Sequence, residues 1–308
     1  MCGIVGIFGR GQSIETQLQF VKTACASMHK RGPDATGIWT DHRIYSTGFV
    51  RLAIRDLSAA ANQPMVSPCK NYTLSYNGEL YNYAEIKQQL TRFQTEFTTS
   101  SDTEILLASL IHLGVPATLA LAYGMFAFAF YDVKQQRLTL ARDKCGIKPL
   151  YIGDLKQGLI YASEYKHIVQ HPEIKQNRIS EAAIGTYLQL GFIPDGMGFL
   201  ENTMLFPHGH YLEISPLEKL LHCYWEFPAT HKSNPIKPIH ELAQTLDQSV
   251  EDQLISDVPI GTFLSGGVDA PLVTQAAVKA NRSITAYTVG TEDPQTNEAL
   301  EAAKYASK

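Results

Sequence analysis

The sequence predicts an α+β protein, with two packed sheets flanked by helices, followed by the opening of a parallel α/β domain. Three observations carry this. Up to about residue 200, short strand-type runs dominate and helical patterns fall between groups of strands, which suits sheets covered on their outer faces. The run Gly124-Met125-Phe126-Ala127-Phe128-Ala129-Phe130-Tyr131-Asp132 alternates small and aromatic residues, so a strand there is apolar on both faces. Past residue 238 come a helical pattern, a buried-type strand at 258–264, a glycine-rich loop, a helix at 271–280 and a strand at 284–289. That order opens a parallel domain.

The elements follow in chain order. Residues 3–8 read as an apolar strand. Ile14, Leu18, Val21, Cys25 and Met28 recur at helical spacing, giving a helix over 14–29 with Ser13 as N-cap and Cys25 in the core. Strands are expected at 35–40, 43–50 and 72–76, with a hairpin-type turn at Tyr76-Asn77-Gly78-Glu79. Asn82 and Glu85 have capping-box spacing and open a helix over 83–92, and Asp102 caps the next, over 103–113. Further strands fall near 137–142, 149–152 and 158–162. Residues 201–237 hold several prolines and short extended pieces and read as a connection between domains. Helices at 238–254 and 297–307 complete the second part.

Composition excludes several classes. Hydrophobic residues make up 44% and charged residues 18%, as in ordinary soluble proteins. The net charge of −4 comes without any basic block, so nucleic acid is not an expected partner. No apolar run approaches the ~18 residues of a membrane span, and no basic leader precedes the N-terminal apolar residues. The five cysteines are scattered without a CxxC pair, which fits a reducing, cytoplasmic setting and argues against zinc. His208 and His210 read as part of a Pro/Gly turn, so no metal site is expected.

Cys2 is the first chemical candidate. Removal of Met1 would leave a thiol and an α-amine on one residue, and an amine with a pKa of roughly 7.7–8.0 can take the thiol proton. Asn77-Gly78 is either the preferred hairpin turn or an oxyanion hole built from the Asn77 amide and the Gly78 N–H. Arg51, Glu79 and Asp102 are either solvated charges or a grip on an amino acid, since a carboxylate suits Arg and an ammonium suits Asp or Glu. Ser265-Gly266-Gly267-Val268-Asp269, between strand and helix, is an anion site or a plain turn, and no Gly-Lys-Ser/Thr follows it.

Together these pieces resemble a family. Cys2-Gly3-Ile4, Arg31-Gly32-Pro33-Asp34, Arg51-Leu52-Ala53-Ile54, Asn77-Gly78-Glu79 and Ser101-Asp102 stand in the order and spacing of class II glutamine amidotransferases, which are N-terminal-nucleophile hydrolases. Gly124–Asp132, Ala141-Arg142-Asp143, Gly146-Ile147-Lys148-Pro149-Leu150-Tyr151, Tyr161-Ala162-Ser163-Glu164 and residues 206–212 narrow the resemblance to glutamine-hydrolysing asparagine synthetases. The resemblance implies a four-layer αββα glutaminase domain at 2–204, a connecting segment at 205–237 and an incomplete ATP-pyrophosphatase-type domain at 238–308. It implies that Cys2 attacks glutamine, that Asn77 and Gly78 hold the oxyanion, and that Arg51, Ile54, Asn77, Gly78, Glu79 and Asp102 bind glutamine. It also implies ATP at Leu264, Ser265, Gly266, Gly267, Asp269 and Val289, with Mg²⁺ on the phosphates and aspartate or another carboxylate as ammonia acceptor.

Two departures stand out. The family loop ends in Ser where this chain has Ala270. Losing a hydroxyl bond to a charged phosphate costs roughly 1.5–3 kcal/mol. The family's later Ser-Gly-Glu-Gly-x-Asp-Glu segment is also not among these 308 residues, so residues 258–308 are expected to be mobile, or completed by a partner or a second copy. Three readings compete: an amidotransferase coupled to asparagine formation, a glutaminase serving water or another acceptor such as a sugar acid, and a non-catalytic binding or regulatory relative.

Overall fold

A computed structural model describes residues 1–228, 238–281, 283–293 and 295–307. They fall into two compact units, Met1–Phe227 and Pro228–Lys308. In the first unit the elements run β1 (Gly3–Gly9), α1 (Ile14–Ser27), β2 (Ala35–Thr40), β3 (Tyr45–Arg51), β4 (Met65–Val66), β5 (Tyr72–Leu80), α2 (Tyr83–Leu90), α3 (Asp102–His112), α4 (Val115–Leu121), β6 (Gly124–Asp132), β7 (Arg137–Arg142), β8 (Tyr151–Leu155), β9 (Gly158–Ala162), α5 (Tyr165–Gln170), α6 (Glu181–Leu190), β10 (Thr203–Leu205), β11 (His210–Ile214) and β12 (Lys219–Cys223).

Two six-stranded sheets result, ordered β10-β8-β9-β1-β3-β2 and β12-β11-β7-β6-β5-β4, with antiparallel neighbours throughout. The period-2 alternation of side chains builds the layers. Ile4 and Phe8 of β1 meet Ala127, Ala129 and Tyr131 of β6 between the sheets. Val5 and Ile7 face the other way, onto Val21, Ala24 and Cys25 of α1. Phe126, Phe128 and Phe130 of β6 pack beneath α2 and α3, against Ile86, Leu90, Ile105 and Leu106. Each buried Phe contributes roughly 1.5–3 kcal/mol, which makes β6 a principal anchor of the second sheet. Its alanines let the sheets approach while its phenylalanines hold the helices. The layers are helix, sheet, sheet, helix, the α+β architecture the sequence predicts.

Ser13 caps α1, its hydroxyl accepting from the Thr16 N–H at 3.2 Å. Other local expectations are overturned. Asn77-Gly78 makes no turn: both residues lie inside β5, opposite Ala127 and Phe126. The nine-residue partner strand β6 pairs across the whole of β5 and overrides the dipeptide's turn preference. Asn82 forms no capping box. Its side chain instead accepts from Tyr123 N (3.0 Å) and donates to Leu121 O (2.9 Å), fixing the approach to β6. Residues 205–237 do more than connect, because β11 pairs with β7 and β12 with β11, extending the second sheet. Residues 229–237 of that segment lie outside the described residues.

The second unit contains α7 (Ile239–Glu251), β13 (Gly261–Phe263), α8 (Asp269–Ala280), β14 (Thr285–Tyr287) and α9 (Ala299–Ala306). β13 and β14 pair in parallel. Val250, Ala276 and Ala277 form a small core with Leu246, Leu254 and Ile284 around them. The strand expected as buried at 258–264 is short and open, with Phe263 80% exposed. Among the described residues its ladder has β14 alone as partner, and a fully buried strand needs cover on both faces.

Candidate active site

Cys2 stands immediately before β1, partly buried against the layer between the sheets. Its Sγ is in contact with both backbone polar groups of one residue, donating to Leu52 O (3.6 Å) and accepting from Leu52 N (3.4 Å). Burial pushes the thiol above its ordinary pKa, while the Leu52 contact, the N-terminal amine, Lys148 and Arg51 act in the opposite sense. The amine, here on Met1, is lowered, chiefly by burial, which favours the proton-accepting form near neutrality.

The turn at Arg31-Gly32-Pro33-Asp34 ties this end of β1 to β3. Arg31 Nε donates to Cys2 O (3.0 Å), Asp34 N donates to Arg51 O (2.9 Å), and Asp34 Oδ2 accepts from Ala53 N (2.7 Å). Gly32 is needed for close approach: a Cβ there would lie 2.4 Å from the Val50 carbonyl carbon. Gly32→Ala is therefore expected to cost about 1–3 kcal/mol and to lower the thermal unfolding midpoint; an unchanged midpoint would show that the turn can retreat.

Asn77 shares a face with Ala127, its cross-strand partner, and Ala127 packs between the sheets. A cavity of about 410 Å³ is lined by Cys2, Arg51, Ile54, Asn77, Gly78, Glu79, Asp102 and Lys148, among others. That volume suits a small ligand. Asn77 is 1% exposed, yet its Nδ2 has no hydrogen-bond partner within the protein. Next to it, Gly78 admits no side chain, since a Cβ would lie 2.3 Å from Met125 O.

Asp102 is the first residue of α3 and does not cap it. Ser101 does, accepting from Thr103 N at 3.2 Å. Asp102 turns toward β5 instead, its Oδ2 accepting from Tyr76 OH (2.9 Å) and Leu80 N (2.8 Å). Burial pushes the Asp102 carboxyl up, and burial with the nearby Asp102 charge raises that of Glu79. A buried and a half-buried carboxyl in one cavity are matched to a cation.

Arg51 differs from expectation. Both terminal nitrogens are engaged by residues 55–62: Nη1 donates to Ser58 O (2.8 Å) and Asn62 Oδ1 (2.7 Å), and Nη2 to Arg55 O (3.2 Å) and Asp56 O. Arg51 shapes the cavity wall and lends it charge, while its fork is not free for a bidentate carboxylate.

The other candidate constellation lies in the second unit. Leu264 N donates to Tyr287 O (2.8 Å), leaving Ser265-Gly266-Gly267 as the loop before Asp269, the first residue of α8. The Gly266 N–H already holds an anion, the Glu298 carboxylate, at 2.9 Å, and the Gly267 N–H donates to Ser265 Oγ at 3.3 Å. Val289 is 75% exposed. Backbone donors at a helix N-terminus fit phosphate, with Ala270 lacking the hydroxyl. His208 and His210 make local contacts, His208 Nδ1 with Asp195 Oδ2 (2.7 Å) and His210 Nδ1 with His208 O (2.7 Å).

The model for the glutamine amidotransferase domain matches residues 1–225. The chain belongs to the glutamine amidotransferase family. Residues 241–308 of this amidotransferase match the asparagine synthase model. The glutamine-hydrolysing asparagine synthetase 1 of Bacillus subtilis is 32% identical over 303 residues, covering 95% of this chain and 46% of that protein. Asparagine synthetase B of Escherichia coli is 34% identical over 283 residues, covering 91% of this chain and 45% of that protein. The chain thus spans about half the length of the curated relatives it matches. Among solved structures, the glutamine phosphoribosylpyrophosphate amidotransferase of B. subtilis, complexed with ADP and GMP, shares the fold at a TM-score of 0.52 and 17% identity, covering 100% of this chain and 70% of that one.

The cavity residues that sequence reasoning missed include two cations, Arg55 and Lys148. Arg55 places its guanidinium 3.5 Å from the Tyr83 ring centroid and lines the cavity. Lys148 stood in a quoted motif without a role. Neither has a local signal, because each reaches the site through loop geometry. Among the described residues no helix is long and apolar enough to cross a membrane.

Proposed function

We propose that this amidotransferase chain hydrolyses glutamine at Cys2. The observation that carries the reading is the buried Asn77 Nδ2, a donor without a partner in the cavity that also holds the Cys2 thiol. Buried donors rarely stay unpaired, and one beside a nucleophile suits an oxyanion that forms during reaction. Cys2 Sγ would attack the side-chain amide carbon, its proton passing to the α-amine and then to the leaving ammonia. A γ-glutamyl thioester results, and water cleaves it to glutamate. Asn77 Nδ2 and the Gly78 N–H would hold the oxyanion. Arg51 and Ile54 form the wall of the glutamine site, and Glu79 and Asp102 take the α-ammonium.

In the second unit, Ser265, Gly266, Gly267 and Asp269 would hold the phosphates of ATP, with Mg²⁺ on them and Leu264 and Val289 against the nucleotide. Glu298 would first leave the Gly266 N–H. The acceptor of ammonia would be the β-carboxylate of aspartate, or another carboxylate. A reducing, cytoplasmic setting suits a chain whose five cysteines are all unpaired.

The test incubates the purified chain with glutamine and follows glutamate, with and without ATP and aspartate. Glutamate without ATP is the expected result. No glutamate from protein with an exposed Cys2 amine would sink the reading. A pH dependence follows as well. Glu79 must be ionised to hold an ammonium, and its carboxyl sits above the ordinary glutamate range. As pH falls through that raised value the site loses its negative charge, so KM for glutamine should rise at a pH where an exposed glutamate is still ionised. Glu79→Gln should have a high KM whose pH dependence is weaker than that of the wild type; a wild-type KM that stays flat as pH falls from neutrality to the ordinary glutamate range would remove Glu79 from ammonium binding.

A further inference from the structure

Lys148 lies in the segment between β7 and β8 and lines the cavity beside Cys2, Asn77 and Glu79. It is 7% exposed. Among the described residues, none of the ion pairs includes its ammonium, and its hydrogen bonds run through its backbone. Burying most of a lysine side chain with no direct partner for its ammonium is costly, and the segment around it is heavily braced. The buried Asp143 carboxylate accepts four backbone N–H groups, from Cys145 (3.1 Å) and Ile147 (2.9 Å) on Oδ1 and from Phe126 (3.1 Å) and Lys148 (3.0 Å) on Oδ2. Buried Arg142 donates from Nε to Lys148 O (2.9 Å) and from Nη2 to Gly146 O (2.7 Å). Nη1 of Arg142 reaches Phe206 O (2.5 Å) and Asp195 (3.0 Å). Lys148 is therefore fixed at both its N–H and its carbonyl.

Two other cations near Cys2, Arg31 and Arg51, already have partners. Arg31 donates to Cys2 O and pairs with Glu164 at 3.7 Å. Arg51 is engaged by residues 55–62. Asp34 and Arg31 act on the N-terminal amine, which must be neutral to take a proton. Burial lowers the pKa of the Lys148 ammonium, and Arg31 adds to that, while the charges of Glu79, Cys2 and Asp143 act in the opposite sense and favour its protonated form.

We propose that Lys148 is a positioning residue of the glutamine site, its ammonium stabilising the thiolate of Cys2 without giving up a proton or contacting the scissile amide. The proposal rests on Cys2 as the nucleophile. The thiol proton still goes to the α-amine, and no bond to Lys148 forms or breaks.

The test is alkylation of Cys2 by iodoacetamide as a function of pH in the full chain. It is read on the N-terminal peptide by mass spectrometry, because Cys69, Cys145 and Cys223 are also exposed. In Lys148→Met the alkylation midpoint should move up by about one pH unit, which is a tenfold change in thiolate at fixed pH. kcat/KM for glutamine at neutral pH should fall about as much, and Lys148→Arg should restore most of both. If Lys148→Met does not fold, Lys148→Gln carries the same expectation. An unmoved midpoint overturns the proposal, even if kcat/KM and thermal stability fall, because a structural role alone produces that pattern. If the midpoint moves in a chain that releases no glutamate, the charge coupling stands and the glutaminase reading falls instead.

Discussion

Cys2→Ala is expected to abolish glutamate release, by a factor on the order of 10⁴ or more. The cavity offers no substitute nucleophile. Its other hydroxyls are engaged, Ser101 Oγ capping α3 and Thr103 Oγ1 accepting from Gln63. Cys25→Ala is the control. Cys25 is 1% exposed on the α1 face of the first sheet, and burial pushes its thiol up to about 12, so it holds almost no thiolate at neutral pH. The expected pattern is loss with Cys2→Ala and near-normal glutamate release with Cys25→Ala, measured on protein whose intact mass shows that Met1 is gone. Retained Met1 places the amine one residue away from the thiol and should itself suppress the rate. Activity surviving in Cys2→Ala would assign the chemistry to another group.

The layers of this fold were legible because they follow from alternation. The switch from Phe to Ala along β6 specifies a helix-facing side and a sheet-facing side, and the structure uses both. Local signals failed where tertiary pairing outbid them. Asn77-Gly78 has the composition of a turn, and its backbone is claimed by β6. Asp102 and Asn82 have capping chemistry, but their side chains are drawn to Tyr76, Leu80, Leu121 and Tyr123 instead. The residue types in the candidate site were readable; their commitments were not. Arg51 carries the charge expected of it, yet which carbonyls its fork would take depends on the path of residues 55–62. Lys148 illustrates the same limit. Its place beside Cys2 is set by Arg142 and Asp143, whose bonds span the chain from Phe126 to Phe206.

Asn77→Ala is expected to lower kcat for glutamine by about 10²–10³, with KM changed by no more than a few-fold, since loss of one oxyanion donor costs roughly 2.7–4 kcal/mol in the transition state. The partnerless Nδ2 makes this a sharper expectation than a usual alanine substitution. A donor already bonded in the resting protein would take part of its effect from the ground state, and its loss would also unsettle the fold. Here the resting protein loses no hydrogen bond through Nδ2. Removing a buried, unsatisfied amide relieves a desolvation cost of about 1–3 kcal/mol, against which stands the cavity the smaller side chain leaves. Thermal stability should therefore hold or rise slightly while turnover collapses. That opposition separates an oxyanion donor from a packing residue. A variant that lost stability and turnover together would point to packing, and one in which KM rose at constant kcat would make Asn77 a glutamine-binding group with no special part in the transition state.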